Sequence, residues 1–241
     1  MKTYFLLFLF LPFSADSEDD FISIYNTLLH SHVSPGQKQG IHANLVDYSS
    51  WADDERHIKA FKLLKELPVP ESHDQRLAYW INVYNFLTVD LIIREKETDS
   101  IKNLGGFFSS PWKKHKWILH DKSYTLDQIE HKILRKMNEP RIHMAINCAS
   151  LSCPDLLTEA YTANQIESQL EKQTLLFLQD STKGMQIQGR NLKLSKIFDW
   201  FAEDFGNKQM LILFLQKYSQ EIKFDSVVEG YLKYDWKLNS K

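Results

Sequence analysis

Residues 77–93 constrain the fold more than any other part of the chain, because their apolar side chains fall on every face of a helix. Ser72 and Gln75 form a capping-box pattern, which predicts that the helix begins directly after Ser72. A helix that is apolar all round is a buried one. The pattern therefore predicts a central helix around which the other elements pack.

Two asparagines interrupt this apolar helix. Asn82 and Asn85 are three residues apart, so they lie side by side on one helical face. Buried amides need hydrogen-bond partners. Two roles fit: each amide tethers a neighbouring loop, or both line a wet cleft and contact a ligand. We keep both residues as candidates for substrate binding.

Shorter patterns predict the rest of the architecture. Apolar stripes indicate helices over residues 21–33, 50–67, 125–137 and 162–180. Alternating residues indicate strands in two hairpins, 117–124 and 185–194, and a further strand over 231–238. No linker divides the chain, so we expect a single α+β domain over residues 18–241, with the central helix packed on a small, mostly antiparallel sheet.

Residues 1–17 have the layout of a secretory signal peptide. Lys2 supplies positive charge, residues 4–13 are apolar, and Ala15 and Ser17 are small residues suited to cleavage. The apolar run is too short to cross a bilayer, and no later stretch is long enough and free of charge. The sequence thus predicts an exported protein, periplasmic or extracellular, with no membrane span in the mature chain.

The charge distribution argues against two classes of binding partner. The net charge is −2, and positive and negative residues are interspersed along the chain. This distribution gives no electrostatic case for a nucleic acid or an acidic membrane surface. We also expect no cofactor and no bound metal, because both cysteines together with His143 lack a clear fourth metal ligand.

Residues 141–154 hold both cysteines and the densest group of reactive side chains. Apolar and polar residues alternate from Ile142 to Asn147, which predicts a half-buried strand with His143 on its polar face. Cys148 follows directly, at the start of a turn that ends in Cys153 and a proline. A thiol at a strand end, five residues after a histidine, is where we expect chemistry.

The two cysteines have two interpretations. In an oxidising compartment Cys148 and Cys153 form a disulfide. Because this bond closes only a small loop, it would stabilise the folded chain modestly. Alternatively, one thiol stays free and reactive. The sequence leaves both open.

Glu130 is the second unusual residue. It lies in the apolar stripe of the helix predicted over residues 125–137, whereas His131 lies on the solvated face. An inward carboxylate is costly unless it is paired or hydrogen-bonded. A salt bridge to Arg141 or a structural hydrogen bond would satisfy it, and so would contact with the His143 imidazole.

Six motifs, in this order, closely resemble the family known as domain of unknown function 547. They are 78–85 (AYWINVYN), 126–131 (LDQIEH), 141–143 (RIH), 147–154 (NCASLSCP), 194–198 (LSKIF) and 234–239 (YDWKLN). The resemblance covers roughly residues 74–239, and the cysteine motif is its most specific part. Members are loosely similar to papain-like and transglutaminase-like thiol enzymes. That similarity implies a papain-like or transglutaminase-like fold and a triad of Cys148 as nucleophile, His143 as base and Glu130 as orienting group.

The resemblance therefore implies a secreted thiol-dependent hydrolase or acyltransferase that acts on an amide or peptide bond. Asn82, Asn85, Asn147 and Ser152 would donate hydrogen bonds to the oxyanion, and Cys153 is the alternative thiol. The competing hypothesis is a non-catalytic extracytoplasmic binding module. In that case Cys148 and Cys153 form a structural disulfide, and the polar groups only hold the core together.

Overall fold

A computed structural model describes residues 16–241. The predicted signal peptide, residues 1–17, lies outside the described residues apart from its last two positions. None of the described helices combines the length and the apolar character that a membrane crossing needs.

Helices dominate the described chain. The α-helices are α1 (Asp16–His32), α2 (Tyr48–Ala52), α3 (Glu55–Glu66), α4 (His73–Glu95), α5 (Pro111–Lys114), α6 (Leu126–Gln128), α7 (Ile142–Ala145), α8 (Ile166–Gln179), α9 (Ile197–Trp200) and α10 (Lys208–Gln216). Three 3-10 helices cover Ile101–Leu104, Leu134–Met137 and Ala202–Phe205, and a π-helical turn covers Ile129–Ile133. The strands are β1 (Val33–Lys38), β2 (Ile41–Val46), β3 (Trp117–Leu119), β4 (Lys122–Tyr124), β5 (Met185–Gln188), β6 (Asn191–Leu194) and β7 (Val227–Tyr231).

The predicted central helix is confirmed as α4. The hydroxyl of Ser72 accepts a hydrogen bond from the Gln75 backbone N–H, so the helix begins where the capping pattern indicated. Its side chains are buried from Leu77 to Ile92. The α+β fold class is confirmed as well.

Most of α4 packs against helices rather than strands. Its neighbours include α2, α6, α8, the π-helical turn and the 3-10 helix Leu134–Met137. The β3–β4 hairpin also reaches α4, because Trp117 donates a hydrogen bond to Asp90 at 2.7 Å and the Tyr124 ring contacts Trp80. The strands form two separate antiparallel hairpins, β1–β2 and β3–β4, and a sheet in the order β5–β6–β7, in which β6 and β7 run parallel. A helix of 23 residues is roughly 35 Å long, and strands of a few residues cannot cover it on all sides, so other helices do.

Two apolar clusters make up the core, and the reactive segment lies where they meet. The larger cluster surrounds α4, and the smaller one joins the end of α8 to β5, β6, α9 and α10. In α7, Ile142 packs in the larger cluster and Met144 in the smaller one. His143 lies between them in sequence and is buried.

The strand predicted over residues 142–147 is wrong, because Ile142–Ala145 forms a single helical turn. All four of its residues are buried, so the alternation of apolar and polar residues does not separate an inner face from an outer one. The side chain of Asn85, rather than a neighbouring strand, hydrogen-bonds to the Ala145 carbonyl and the Asn147 N–H.

Three other predicted elements are only partly right. The helix over 50–67 is divided into α2 and α3, because Asp54 caps a new helix at Glu55. The capping box at Thr125 and Gln128 is present, but the helix changes to a π-helical turn at Ile129. The strand expected over 231–238 ends at Tyr231, and the chain beyond it packs along the cysteine turn.

Candidate active site

The cysteine turn, residues 148–153, has a strained backbone that Asn147 holds in place. Ala149 adopts a left-handed conformation with φ 61°, which is unfavourable for a residue other than glycine. The Oδ1 atom of Asn147 accepts the Ala149 N–H at 2.8 Å, and its Nδ2 atom donates to the Pro154 carbonyl at 2.7 Å. One buried amide thus clamps both ends of the turn.

The asparagines of α4 hold the segments around it. Asn85 donates to the Ala145 carbonyl at 3.0 Å and accepts the Asn147 N–H at 2.8 Å. Asn82 makes the corresponding pair with the backbone of Tyr161, at 2.7 and 2.9 Å. These amides are buried tethers, so the expectation that Asn82, Asn85 and Asn147 contact substrate is not supported by their positions.

The C-terminal segment anchors the other side of the turn. The Leu151 N–H donates to the Lys237 carbonyl at 2.8 Å. Ser152 exchanges two hydrogen bonds with the backbone of Asp235, one of them through its hydroxyl at 2.8 Å. Ser152 is therefore also structural rather than a substrate contact. Its pairing brings Tyr234 to the thiol of Cys148.

The thiol of Cys148 lies among hydroxyl groups. Its sulfur is 3.0 Å from Ser150 Oγ and 3.2 Å from the Tyr234 hydroxyl, and these two oxygens are themselves 3.2 Å apart. Burial alone would raise the pKa of Cys148, but hydrogen bonds from Cys153, Ser150 and Tyr234 lower that pKa to about 7. Cys148 is thus the more acidic thiol and the one suited to nucleophilic attack.

Cys153 serves as a support for Cys148. Both cysteines are free thiols in the structure, without a disulfide between them. The sulfur of Cys153 accepts the backbone N–H of Cys148 at 2.8 Å. Burial raises the pKa of Cys153 well above its usual value. A neutral, buried thiol is a poor nucleophile, which argues against Cys153 as the reactive group.

His143 is oriented by a carboxylate other than the predicted one. Its Nε2 atom lies 2.7 Å from Asp204 Oδ2, and its ring stacks on Phe201 at a centroid distance of 4.0 Å. Arg135 holds the same carboxylate through two hydrogen bonds of 2.6 and 2.8 Å. The expected contact between Glu130 and His143 is therefore wrong: Asp204, on the 3-10 helix Ala202–Phe205, occupies that position.

Burial of the imidazole favours its neutral form. Burial lowers the pKa of His143, and the hydrogen bond to Asp204 only partly offsets this effect. Burial would raise the pKa of Asp204, but hydrogen bonds from His143 and Arg135 hold it well below its usual range. An ionised carboxylate at Nε2 fixes the ring proton there. The buried Nδ1 atom has no hydrogen-bond partner in the part of the chain that the structure describes.

Glu130 is buried, as the apolar stripe predicted, but its partner is the hydroxyl of Tyr84 on α4, at 3.2 Å. Burial raises the pKa of Glu130 to about 8, against the opposing effect of the Tyr84 hydrogen bond. Negative charge on Cys148 contributes to this rise. Near neutral pH the carboxyl group is therefore mostly protonated and available as a hydrogen-bond donor.

One cavity of about 370 Å³ connects these groups. Cys148, Cys153, His143 and Glu130 all line it. The remaining walls are mostly aromatic and include Trp112, Trp200, Phe201, Tyr234 and Trp236. Among the described residues no hydrogen bond joins the Cys148 sulfur to His143, and no group of three or more metal-binding side chains occurs.

Sequence reasoning missed three residues of the site. Tyr234 and Ser150 both belong to motifs that carried the family resemblance, so their positions were visible but their contact with the thiol was not. Asp204 follows Glu203 in a short aromatic segment and has no sequence pattern that marks it as inward. Its role depends on the approach of a segment 61 residues from His143.

Comparison with known proteins gives one match. Residues 70–178 match the family described as "Protein of unknown function, DUF547". This range contains α4, Glu130, His143 and both cysteines, but ends before Asp204 and Tyr234. No curated protein and no solved structure matches the chain. The resemblance drawn from the motifs is thereby confirmed over residues 70–178, which are similar to this family.

Proposed function

We propose that this protein is a thiol-dependent hydrolase or acyltransferase that acts on an amide or peptide bond. Cys148 is the nucleophile, His143 the base, and Asp204 the group that orients His143. One observation carries the proposal. An acidified thiol and a carboxylate-held imidazole with an unpartnered Nδ1 atom line the same cavity.

The groups around Cys148 favour its ionised form. With a pKa of about 7, a large fraction of Cys148 is thiolate at neutral pH. The hydroxyls of Ser150 and Tyr234 donate to that thiolate. Hydrogen bonds to the charged form favour ionisation. Ionisation of Cys148 therefore does not depend on direct contact with the imidazole.

His143 moves the proton that the reaction requires. With its Nε2 proton directed at Asp204, the neutral ring has a lone pair on Nδ1. The thiol must leave its contacts with Ser150 and Tyr234 and approach Nδ1 when substrate enters. Such contacts often tighten only in the substrate complex.

The reaction balances with the groups present. The neutral Cys148 thiol passes its proton to Nδ1 of His143 as its sulfur bonds to the carbonyl carbon, and the carbonyl π electrons move to the oxygen. The carbon–nitrogen bond then breaks, and the leaving nitrogen takes the proton from the imidazolium. Water or an amine attacks the resulting thioester, transfers its proton to His143 and regenerates the thiol. Hydrolysis and acyl transfer differ only in this last nucleophile.

Glu130 supplies a neutral hydrogen-bond donor. Its pKa of about 8 keeps the carboxyl group protonated through most of the neutral range. In a cavity with aromatic walls, such a donor stabilises negative charge that develops on the substrate oxygen. This role replaces the orienting role that the sequence predicted for it. Export through a signal peptide remains part of the proposal.

The test is trapping of an acyl-enzyme. The protein is mixed with p-nitrophenyl acetate, the release of nitrophenolate is followed, and the acetylated peptide is located by mass spectrometry after acid quench. We expect a burst and an acetyl group on Cys148. Cys148→Ala should remove the burst. Cys153→Ala should keep acetylation at Cys148, at a lower rate, because Cys148 loses a hydrogen bond that lowers its pKa.

Either of two results contradicts the proposal. The first is acetylation that persists at the same rate in Cys148→Ala. The second is quantitative oxidation of Cys148 and Cys153 to a disulfide in freshly exported protein, measured by intact mass after alkylation. Both results favour the binding-module hypothesis.

A further inference from the structure

A sharp turn beside the cavity carries two uncovered phenylalanines. Phe107 and Phe108 are each 95% exposed, and their rings contact one another at a centroid distance of 4.7 Å. The Gly106 N–H donates to the Ser109 carbonyl at 2.7 Å and closes the turn beneath them. Exposed single apolar residues are common, but an adjacent pair at the tip of a turn indicates an interaction surface.

The base of this turn is held in a defined position. The ammonium group of Lys114 donates to the carbonyls of Leu104 and Gly105, both at 3.2 Å. His115 Nε2 also bonds the Leu104 carbonyl, at 2.9 Å. The aromatic tip therefore projects from a fixed base.

The fully charged side chains within this segment are all lysines. Residues 101–119 contain four lysines and no aspartate or glutamate, although the whole chain has a net charge of −2. The lysines are Lys102, Lys113, Lys114 and Lys116, and all four are exposed. Asp127 partly neutralises Lys113, at 3.7 Å. Glu95 lies 3.5 Å from His115, and Glu97 accepts a hydrogen bond from Asn103 at 3.2 Å, so carboxylates outside the segment balance part of this positive charge.

The turn also adjoins the cavity. Ser110, Trp112 and Lys113, which follow the phenylalanines directly, line its wall. Anything bound at the turn therefore lies beside residues that line the cavity.

We propose that residues 105–110 dock the protein on the surface of an anionic phospholipid membrane. The two phenylalanines enter the boundary between headgroups and acyl chains, and the lysines face the lipid phosphates. Aromatic residues flanked by lysines favour this interface, because the rings gain burial while the ammonium groups stay among anionic headgroups. The inference does not depend on the thiol chemistry.

The size and shape of the surface favour lipid over a protein partner. Two phenylalanine side chains offer about 300–500 Å² of surface. A stable protein interface buries about 800 Å² on each partner. A small convex tip suits a fluid interface that adapts to it, whereas a protein partner would need a matching pocket.

The test compares vesicle binding by the full chain and its variants in a flotation assay. The vesicles are phosphatidylcholine alone or phosphatidylcholine with phosphatidylglycerol. We expect binding to the anionic vesicles and a fall of about ten-fold for each phenylalanine removed in Phe107→Ser/Phe108→Ser. The matched control is Phe224→Ser, because Phe224 is also exposed, at 67%, on a different surface segment. Lys102→Gln/Lys116→Gln should weaken binding to anionic vesicles only.

Hydrogen exchange locates the contact and separates it from the apolar N-terminal residues. We expect anionic vesicles to slow exchange across residues 105–110 in the wild-type chain. Equal vesicle binding by the wild type and the double phenylalanine variant, or unchanged exchange at 105–110, would overturn the proposal. A concentration-dependent dimer that the double variant abolishes, without any vesicle binding, would instead assign the turn to self-association.

Discussion

Replacing Asn85 by alanine tests whether the cysteine turn depends on the central helix. The buried Asn85 side chain makes one hydrogen bond to the Ala145 carbonyl and one to the Asn147 N–H. The variant leaves both backbone groups buried without these partners. Each buried unsatisfied group costs about 1–3 kcal/mol. We therefore expect the free energy of unfolding to fall by roughly 2–6 kcal/mol.

The assay is thermal unfolding followed by far-UV circular dichroism, with urea unfolding at 25 °C as a second measurement. For a chain of this size, a loss of about 4 kcal/mol lowers Tm by roughly 8–16 °C. The control is Asn103→Ala, because Asn103 is exposed and donates a single hydrogen bond to Glu97 at 3.2 Å. It should change the unfolding free energy by less than about 0.5 kcal/mol.

A Tm for Asn85→Ala within about one degree of the wild type would refute this reasoning. Such a result would mean that water satisfies the two backbone groups, and hence that the amide lines an open cleft. Asn85 would then return to the list of candidate substrate contacts.

Three further predictions concern the polar groups of the cavity. Asp204→Asn should slow acetylation of Cys148 by about 10²–10⁴-fold, because the imidazole loses its fixed tautomer; an unchanged burst rate would exclude the orienting role. Tyr234→Phe removes a donor to the thiolate, so the pKa of Cys148 should rise from about 7, measured as the midpoint of iodoacetamide alkylation against pH; an unmoved midpoint would contradict that contact. Burial raises the pKa of Glu130 from 4.5 to about 8 in the folded protein. The contribution of this carboxyl group to the free energy of unfolding is therefore complete below about pH 4.5 and declines as the pH rises towards 8. Glu130→Gln should flatten this decline in urea unfolding across that range, and an unaltered slope, or the same flattening in the exposed control Glu203→Gln, would count against it.

The position of the central helix could be predicted from local sequence. The hydroxyl at Ser72 and the apolar residues that follow act within a few residues of one another, so their effect does not depend on the rest of the fold. The burial of Glu130 could be predicted in the same way. The apolar side chains one helical turn before and after it show which face of the helix points inward.

The conformation of residues 142–147 could not be predicted from local sequence. Alternation of apolar and polar residues indicates a strand only when one face is exposed, and in this segment both faces are buried. The decisive partner is the amide of Asn85, which lies 62 residues from Asn147 in sequence. Only the folded chain brings that amide to the two backbone groups it holds.

Local sequence predicted the buried helix at the centre of the fold and the inward position of Glu130. Those features follow from side-chain polarity and spacing over one or two helical turns. The tertiary fold sets which polar groups are in contact. It places Asp204 rather than Glu130 at His143, and it brings Tyr234 from the C-terminal segment to Cys148. The physical reason is that a hydrogen bond requires atoms within about 3 Å, and segments far apart in sequence reach that distance only through the packing of the whole core.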